Sequence, residues 1–91
     1  MPTEILKKVA EIIKQRASTH GDYQENFKQI ADLWSAYLKV PITPAQVCAM
    51  MVLLKFSRDQ CGSHDPDNWL DVIGYATIAS AISTGGNQQG G

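Results

Sequence analysis

The sequence predicts an all-α fold, a single small four-helix bundle with a disordered C-terminal tail. Apolar residues recur at intervals of three and four along four stretches, which is the spacing of one helix face, and no strand-like alternation is present. Proline, glycine and capping residues separate the stretches, so we predict helices at residues 3–17, 22–39, 44–60 and 66–83. Together they form a helical domain over residues 1–83, whereas the Gly- and Gln-rich residues 84–91 have nothing to bury.

The composition limits the classes of function. The chain has 91 residues, 44% of them hydrophobic and 19% charged, which suffices for one core. The net charge of -1 argues against nucleic-acid binding and against attachment to an anionic membrane. No apolar run reaches about 18 residues and no signal peptide is recognisable, so we expect a cytoplasmic protein. Two cysteines make no disulfide framework, and Cys48 is predicted to be a buried thiol.

The first two helices each have a capping residue and one apolar face. Thr3 is the predicted N-cap of the first helix, and Asp22 forms a capping-box-like pair with Glu25 at the start of the second. Pro41 ends the second helix, because the residue before a proline is pushed out of helical geometry. The apolar faces comprise Ile5, Val9, Ile12 and Ile13 in the first helix, and Phe27, Ile30, Ala31, Trp34, Tyr37 and Leu38 in the second.

The third helix is the most apolar and is predicted to lie at the centre of the core. Thr43 and Pro44 are its predicted N-cap and first helical residue. Its apolar residues include Val47, Met50, Met51, Leu53 and Leu54. Because this surface is larger than one small bundle readily covers, we expect a homo-oligomer.

The fourth helix combines an acidic stripe with an apolar one. Asp65 is its predicted N-cap, and Pro66 fits the first helical position. Asp67 and Asp71 lie one turn apart, so their carboxylates repel each other unless solvent, basic side chains or a divalent cation compensates. Tyr75 and Ile78 continue the acidic stripe; the apolar stripe comprises Trp69, Val72, Ile73, Ala76, Ala79 and Ile82. Trp34, Tyr37 and Trp69 fit core positions better than a platform for stacking bases.

Four helices with short loops pack most simply as an antiparallel up-down bundle, and an orthogonal arrangement is also open. The up-down bundle would collect most of the polar side chains, including Arg16, at one pole, which we take as the candidate site. The candidate ligand-binding residues are Lys55, Arg58, Asp67, Asp71, Tyr75, Glu25, Asn26 and His64. Asp67 and Asp71 are the candidate metal ligands, and no catalytic residue is assigned. Alternatively, Lys55 and Arg58 facing the two aspartates form an ion-pair network that sets the register of the hairpin. We reject a zinc site at Cys61 and His64, since no second ligand pair is visible.

Several motifs together resemble a family of small phage and prophage α-helical proteins of uncharacterised function. They are Tyr23–Phe27, Leu33–Leu38, Met50–Met51 with Lys55 and Arg58, and Asp67–Ala76. More distantly, the acidic pair followed by Gly74-Tyr75-Ala76 is similar to the all-α nucleoside triphosphate pyrophosphatases of the MazG and dimeric dUTPase type. Such enzymes bind magnesium with two acidic pairs, hydrolyse nucleotides between the α and β phosphates, and are usually dimers or higher oligomers.

That resemblance implies that Asp67 and Asp71 form one acidic pair, with a spacing of four where three is usual. The third helix has no carboxylate before Asp59, and Glu25 and Asp32 are seven residues apart, so the acidic set is incomplete. Magnesium requires several oxygen ligands, and the incomplete set argues against catalysis.

Three functions remain open at this stage. The first is a phage-type nucleotide-binding protein, in its strongest form a degenerate or minimal magnesium-dependent pyrophosphatase, with Lys55 and Arg58 on the phosphates. The second is a non-enzymatic phage-encoded protein that binds and inhibits a host defence protein. The third is a structural bundle whose charged seam only sets register. The expected partner is therefore a nucleotide or a host protein, in the host cytoplasm for a phage-encoded chain.

Overall fold

The computed structural model describes residues 1–20, 22–62 and 64–85, and only the backbone of residues 19, 20, 84 and 85. Over this part of the chain it contains four helices and no strand, which confirms the all-α prediction. The helices are α1 (Pro2–His20), α2 (Tyr23–Leu38), α3 (Pro44–Gln60) and α4 (Pro66–Gly85). The helix α4 runs two residues beyond its predicted end, and the rest of the predicted tail lies outside the described residues.

The chain starts its helices with proline or with a side-chain cap. The helix α1 begins at Pro2, whose fixed φ suits the first helical position, so Thr3 lies inside the helix and is not the predicted N-cap. Thr43 caps α3 as predicted: its hydroxyl accepts the Gln46 N–H at 3.1 Å, and the Gln46 side chain accepts the Thr43 N–H at 2.8 Å. Asp65 caps α4 by accepting the N–H of Asp67 at 3.0 Å.

Both ends of α2 differ in detail from the prediction. Asp22 caps the helix by accepting the N–H of Gln24 at 2.9 Å, without the predicted pairing to Glu25. The helix ends at Leu38 because Lys39 adopts a left-handed conformation with φ 61°, and its N–H donates to the Ser35 carbonyl at 2.7 Å. The Ser35 hydroxyl then accepts the N–H of Ile42 at 2.8 Å, which ties the α2–α3 connection to the helix.

The helices α3 and α4 make the most extensive contact, α2 packs on α3, and α1 packs on α4. The fully buried apolar side chains are Val9 of α1, Ala31 of α2, and Val47 and Cys48 of α3. This arrangement confirms that α3 is central and that Cys48 is buried. The helices α1 and α2 are not among the closely packed pairs, and the space between them opens as a cavity. None of the described helices is both long and apolar enough to span a membrane.

The aromatic side chains depart from the predicted core. Trp69 is 52% exposed and Tyr37 is 85% exposed, whereas Trp34 is half-buried. The reason for Trp69 is that α3 covers its side of α4 only in part: the Phe56 ring lies against Trp69, with centroids 5.7 Å apart, and Ala76 lines an open groove beside α3. Placing Trp69 and Tyr37 in the core of the single chain was therefore wrong.

Candidate functional site

The predicted contact between α3 and α4 is an ion pair. The Lys55 Nζ lies 3.1 Å from the Asp71 Oδ2, and the two side chains are only 13% and 26% exposed. Lys55 therefore pairs with Asp71 across the contact between α3 and α4, as expected for an ion pair that sets the register of the hairpin. Partly buried pairs of this kind are costly to break, because the remaining charge loses its partner while water stays largely excluded.

A double-mutant cycle should reveal this coupling. Lys55→Met and Asp71→Asn are each expected to lower the free energy of unfolding by roughly 1–3 kcal/mol, because each leaves one partly buried charge or dipole without its partner. The double variant should lose less than the sum, with a coupling of at least about 0.5 kcal/mol. Urea unfolding of the four proteins measures it. Additive losses would mean that the pair contributes nothing to stability.

The two aspartates of α4 lie at a polar cavity against α1. Asp67 is exposed in the first turn, and Asp71 follows one turn later. Together with Gln15 and Arg16 of α1 they line a cavity of about 360 Å³. The carboxylates therefore face the basic and amide side chains of α1, and Asp71 reaches α3 as well through Lys55.

A larger and mainly apolar cavity of about 510 Å³ lies between α1, α2 and α4. Three aromatic rings, those of Tyr23, Phe27 and Tyr75, belong to its wall. The rings of Phe27 and Tyr75 meet edge to face, with centroids 6.2 Å apart and planes at 87°. The polar side chains in the same wall include Arg16 and Asn26. Cavities of this volume, apolar with a few polar groups, are typical of small-molecule sites.

Arg16 joins the two cavities, because it lines both of them. It follows Ile12 by four residues and Ile13 by three, so a cation continues the apolar face of α1. Arg16 is not among the ligand-binding residues predicted from the sequence, although the predicted polar pole contains it. The signal that could have identified it is a charged residue at a position that the helical period assigns to the core.

The structure brings together only some of the predicted site residues. Asn26 and Tyr75 line the apolar cavity, and Asp67 and Asp71 line the polar one. The other four line neither cavity: Lys55 pairs with Asp71, Arg58 and Glu25 are exposed, and the His64 Nδ1 is 3.6 Å from the Asp59 Oδ1. The sequence pattern placed Phe27 on the apolar face of the second helix and did not indicate the aromatic wall.

The acidic side chains do not fit a magnesium site built by the protein alone. Among the described residues, no three His, Cys, Asp or Glu side chains converge on one point. The carboxylate of Asp71 is also paired with Lys55. A magnesium ion prefers several oxygen ligands, so we base no step on a metal, and magnesium binding stays a prediction.

Comparison with known proteins identifies a family for the chain. The model of a family described as "Domain of unknown function (DUF6378)" matches residues 4–83. The chain belongs to this family. Two relatives are phage proteins, so the predicted resemblance to phage proteins is confirmed. None of these matches links the DUF6378 chain to the MazG or dimeric dUTPase enzymes. No solved structure matches the chain.

Both phage relatives are called "Gene 55 protein". The protein of Mycobacterium phage L5 is 43% identical over 76 residues, which cover 81% of this chain and 49% of the relative. The protein of Mycobacterium phage D29 is 35% identical over 83 residues, which cover 90% of this chain and 55% of the relative. This DUF6378 chain therefore spans about half the length of the curated relatives it matches.

Proposed function

We propose that this protein binds a small phosphorylated ligand with a planar ring, of the nucleotide class, between α1, α2 and α4. The observation that carries the proposal is an apolar cavity of about 510 Å³ with three aromatic rings in its wall and Arg16 at its junction with a polar cavity. The site thus has an apolar part that can bind a ring and a charged part next to it. A nucleotide likewise consists of a planar base and a charged phosphate group.

The base would lie in the aromatic part. Tyr75 and Phe27 already meet edge to face there, so a base that stacks on one of these rings contacts a side chain that the other ring holds in place. Stacking of a base on an aromatic side chain is worth about 1–3 kcal/mol. Asn26 in the same wall provides both a donor and an acceptor for the edge of the ring.

The phosphate would bind to Arg16. A guanidinium presents five donors in a fork that matches phosphate oxygens, and Arg16 lines both cavities. This placement revises the phosphate contacts inferred from sequence, because Lys55 and Arg58 line neither cavity. Asp67 and Asp71 would repel phosphate and accept hydrogen bonds from sugar hydroxyls. We propose ligand binding alone, without hydrolysis of the ligand.

A thermal-shift panel of ribonucleotides, deoxynucleotides and cyclic nucleotides, with and without magnesium, tests this function. At a hundredfold excess over its dissociation constant, a ligand should stabilise the fold by about 2.7 kcal/mol, which is several degrees for a chain this short. Tyr75→Leu and Arg16→Gln should remove the shift, because they delete the ring contact and the phosphate donor. Magnesium dependence of the shift would implicate Asp67 and Asp71.

Lys14→Gln is the matched control, since Lys14 is an exposed cation on the same helix and outside both cavities. This variant should keep the full shift. Unliganded melting and far-UV circular dichroism of each variant separate lost binding from lost folding. No shift with any nucleotide, or an unchanged shift in folded Tyr75→Leu and Arg16→Gln, would reject the proposal and favour a protein partner.

A further inference from the structure

The two central helices carry long stretches without charge. Residues 44–54 of α3 and 72–85 of α4 contain no Asp, Glu, Lys, Arg or His. A helix that is apolar on all sides is normally covered on all sides. In the single chain this condition is not met, because Leu53 is 63% exposed and Leu54 and Met50 are also exposed.

A groove also runs between α3 and α4. Its volume is about 480 Å³, and its wall includes Ala49 and Val52 of α3 and Ala76 and Ala79 of α4. Small side chains line it, so the backbone of another helix could approach closely. The described structure offers no segment of the chain that fills the groove.

Two aromatic side chains stand on the same side, nearer the α3–α4 connection. Phe56 is 38% and Trp69 is 52% exposed, and their ring centroids are 5.7 Å apart. Phe56 follows Ala49 by seven residues, and Trp69 precedes Ala76 by seven, so each aromatic residue is on the same helix face as a groove residue. The bulky pair and the groove therefore form one continuous apolar surface.

We propose that a second copy of this chain docks on this surface, which we call the α3/α4 face. Its residues are Ala49, Val52, Leu53, Phe56, Trp69 and Ala76. The face has a bulky half at the aromatic pair and a hollow half at the groove. In a two-fold dimer the α3/α4 faces of the two copies meet in antiparallel orientation, so the aromatic pair of each copy enters the groove of the other.

Charge also favours a second copy over a different partner. A two-fold interface brings the same patch of both subunits together, so a patch of one charge sign would repel its copy. None of the six residues of the α3/α4 face is charged, and the whole chain has a net charge of -1. The face therefore pairs with itself without an electrostatic cost.

The available area is of the size that a dimer needs. Helices of 17 and 20 residues are about 25 and 30 Å long, and each is roughly 10 Å wide. Side by side they present on the order of 500 Å² in projection, and more in accessible area because the surface is corrugated. Stable interfaces bury about 800 Å² per partner.

The oligomeric state in solution tests the proposal. Sedimentation velocity and light scattering should give a mass near 20 kDa, twice the 10.0 kDa of the chain, at micromolar concentration. Ala76→Glu should shift the mass to that of the monomer. Its dimer dissociation constant should rise at least about 100-fold, because two unpaired carboxylates would be buried at the interface. Ala10→Glu and Ala36→Glu, exposed sites on α1 and α2 outside the face, should remain dimeric.

Cross-linking tests the two-fold geometry. Leu53 lies between Ala49 and Phe56 along α3, near the expected axis, so Leu53→Cys should cross-link to its own copy through a short bis-maleimide in a Cys61→Ser background. Ala36→Cys in that background should not. A monomer at several hundred micromolar, or an Ala76→Glu variant that still dimerises, would overturn the proposal. Either result is independent of nucleotide binding, which the thermal-shift panel reads separately.

Discussion

Ala31→Asp is expected to unfold most of the protein, whereas Ala36→Asp on the same helix should leave it folded. Ala31 is only 1% exposed and Ala36 is exposed, five residues further along α2. An aspartate at position 31 would bring a charged group with no room and no partner into the contact between α2 and the rest of the bundle. We expect a loss of roughly 4 kcal/mol or more in the free energy of unfolding.

That loss is large relative to the total stability of the chain. At roughly 0.05–0.15 kcal/mol per residue, 91 residues correspond to about 5–14 kcal/mol, and a domain with so few fully buried side chains should lie at the lower end. Circular dichroism melting of the two variants provides the measurement. Both carry the same helix-propensity cost, and the carboxylate of Ala36→Asp in the last turn adds only about 0.3–1 kcal/mol through the helix dipole, so burial accounts for the expected difference. Melting temperatures within a few degrees of each other would contradict the buried position of Ala31.

The two cysteines should react with thiol reagents at rates that differ by at least about 100-fold. Cys61 is exposed, whereas Cys48 is 1% exposed on the central helix. Burial raises the pKa of the Cys48 thiol, so the reactive thiolate is rare, and the reagent also needs a local opening to reach it. Absorbance kinetics with a disulfide reagent should show a fast phase that Cys61→Ser removes and a slow phase that Cys48→Ala removes. In urea both thiols should react quickly, and a fast native Cys48 would contradict its burial.

The same pKa shift gives a pH dependence of stability with a definite sign. The folded chain holds the Cys48 proton to higher pH than the unfolded chain, which binds fewer protons above the ordinary thiol pKa. The contribution of the Cys48 thiol to the free energy of unfolding is therefore fully present below the ordinary thiol pKa. It is lost as the pH rises from the ordinary pKa through the raised pKa of the folded state. Urea unfolding between about pH 7 and 10 should show a steeper decline for the natural chain than for Cys48→Ala, which lacks this group. Parallel profiles would mean that the thiol is not desolvated.

Local sequence signals were sufficient for the helices and for part of the site. Thr43 and Asp65 cap their helices as their residue types predict, since a side-chain oxygen near the first N–H groups needs no distant partner. Lys55 and Asp71 were expected to meet across the α3–α4 seam, and they do at 3.1 Å. A short connection between two adjacent helices leaves few alternative pairings, so their contact was predictable.

The cavity between α1, α2 and α4 could not be predicted in the same way. Helical periodicity identified Phe27 and Ile13 as members of apolar faces, but it does not say how far apart two faces lie. The spacing depends on which helices pack closely, and here α1 packs on α4 and α2 on α3. Arg16 became a site residue only because that spacing leaves it lining two cavities.

By itself, the sequence determined the fold class, the four helices, the N-caps of α2, α3 and α4, and the central place of α3, because these depend on local propensity and on the amount of apolar surface. The tertiary structure alone decided which apolar surfaces the chain covers: it buries Ala31 and Cys48, and it leaves Trp69 and Leu53 exposed. The physical reason is that burial depends on the relative positions of the helices, whereas a helical pattern records only which side of each helix is apolar.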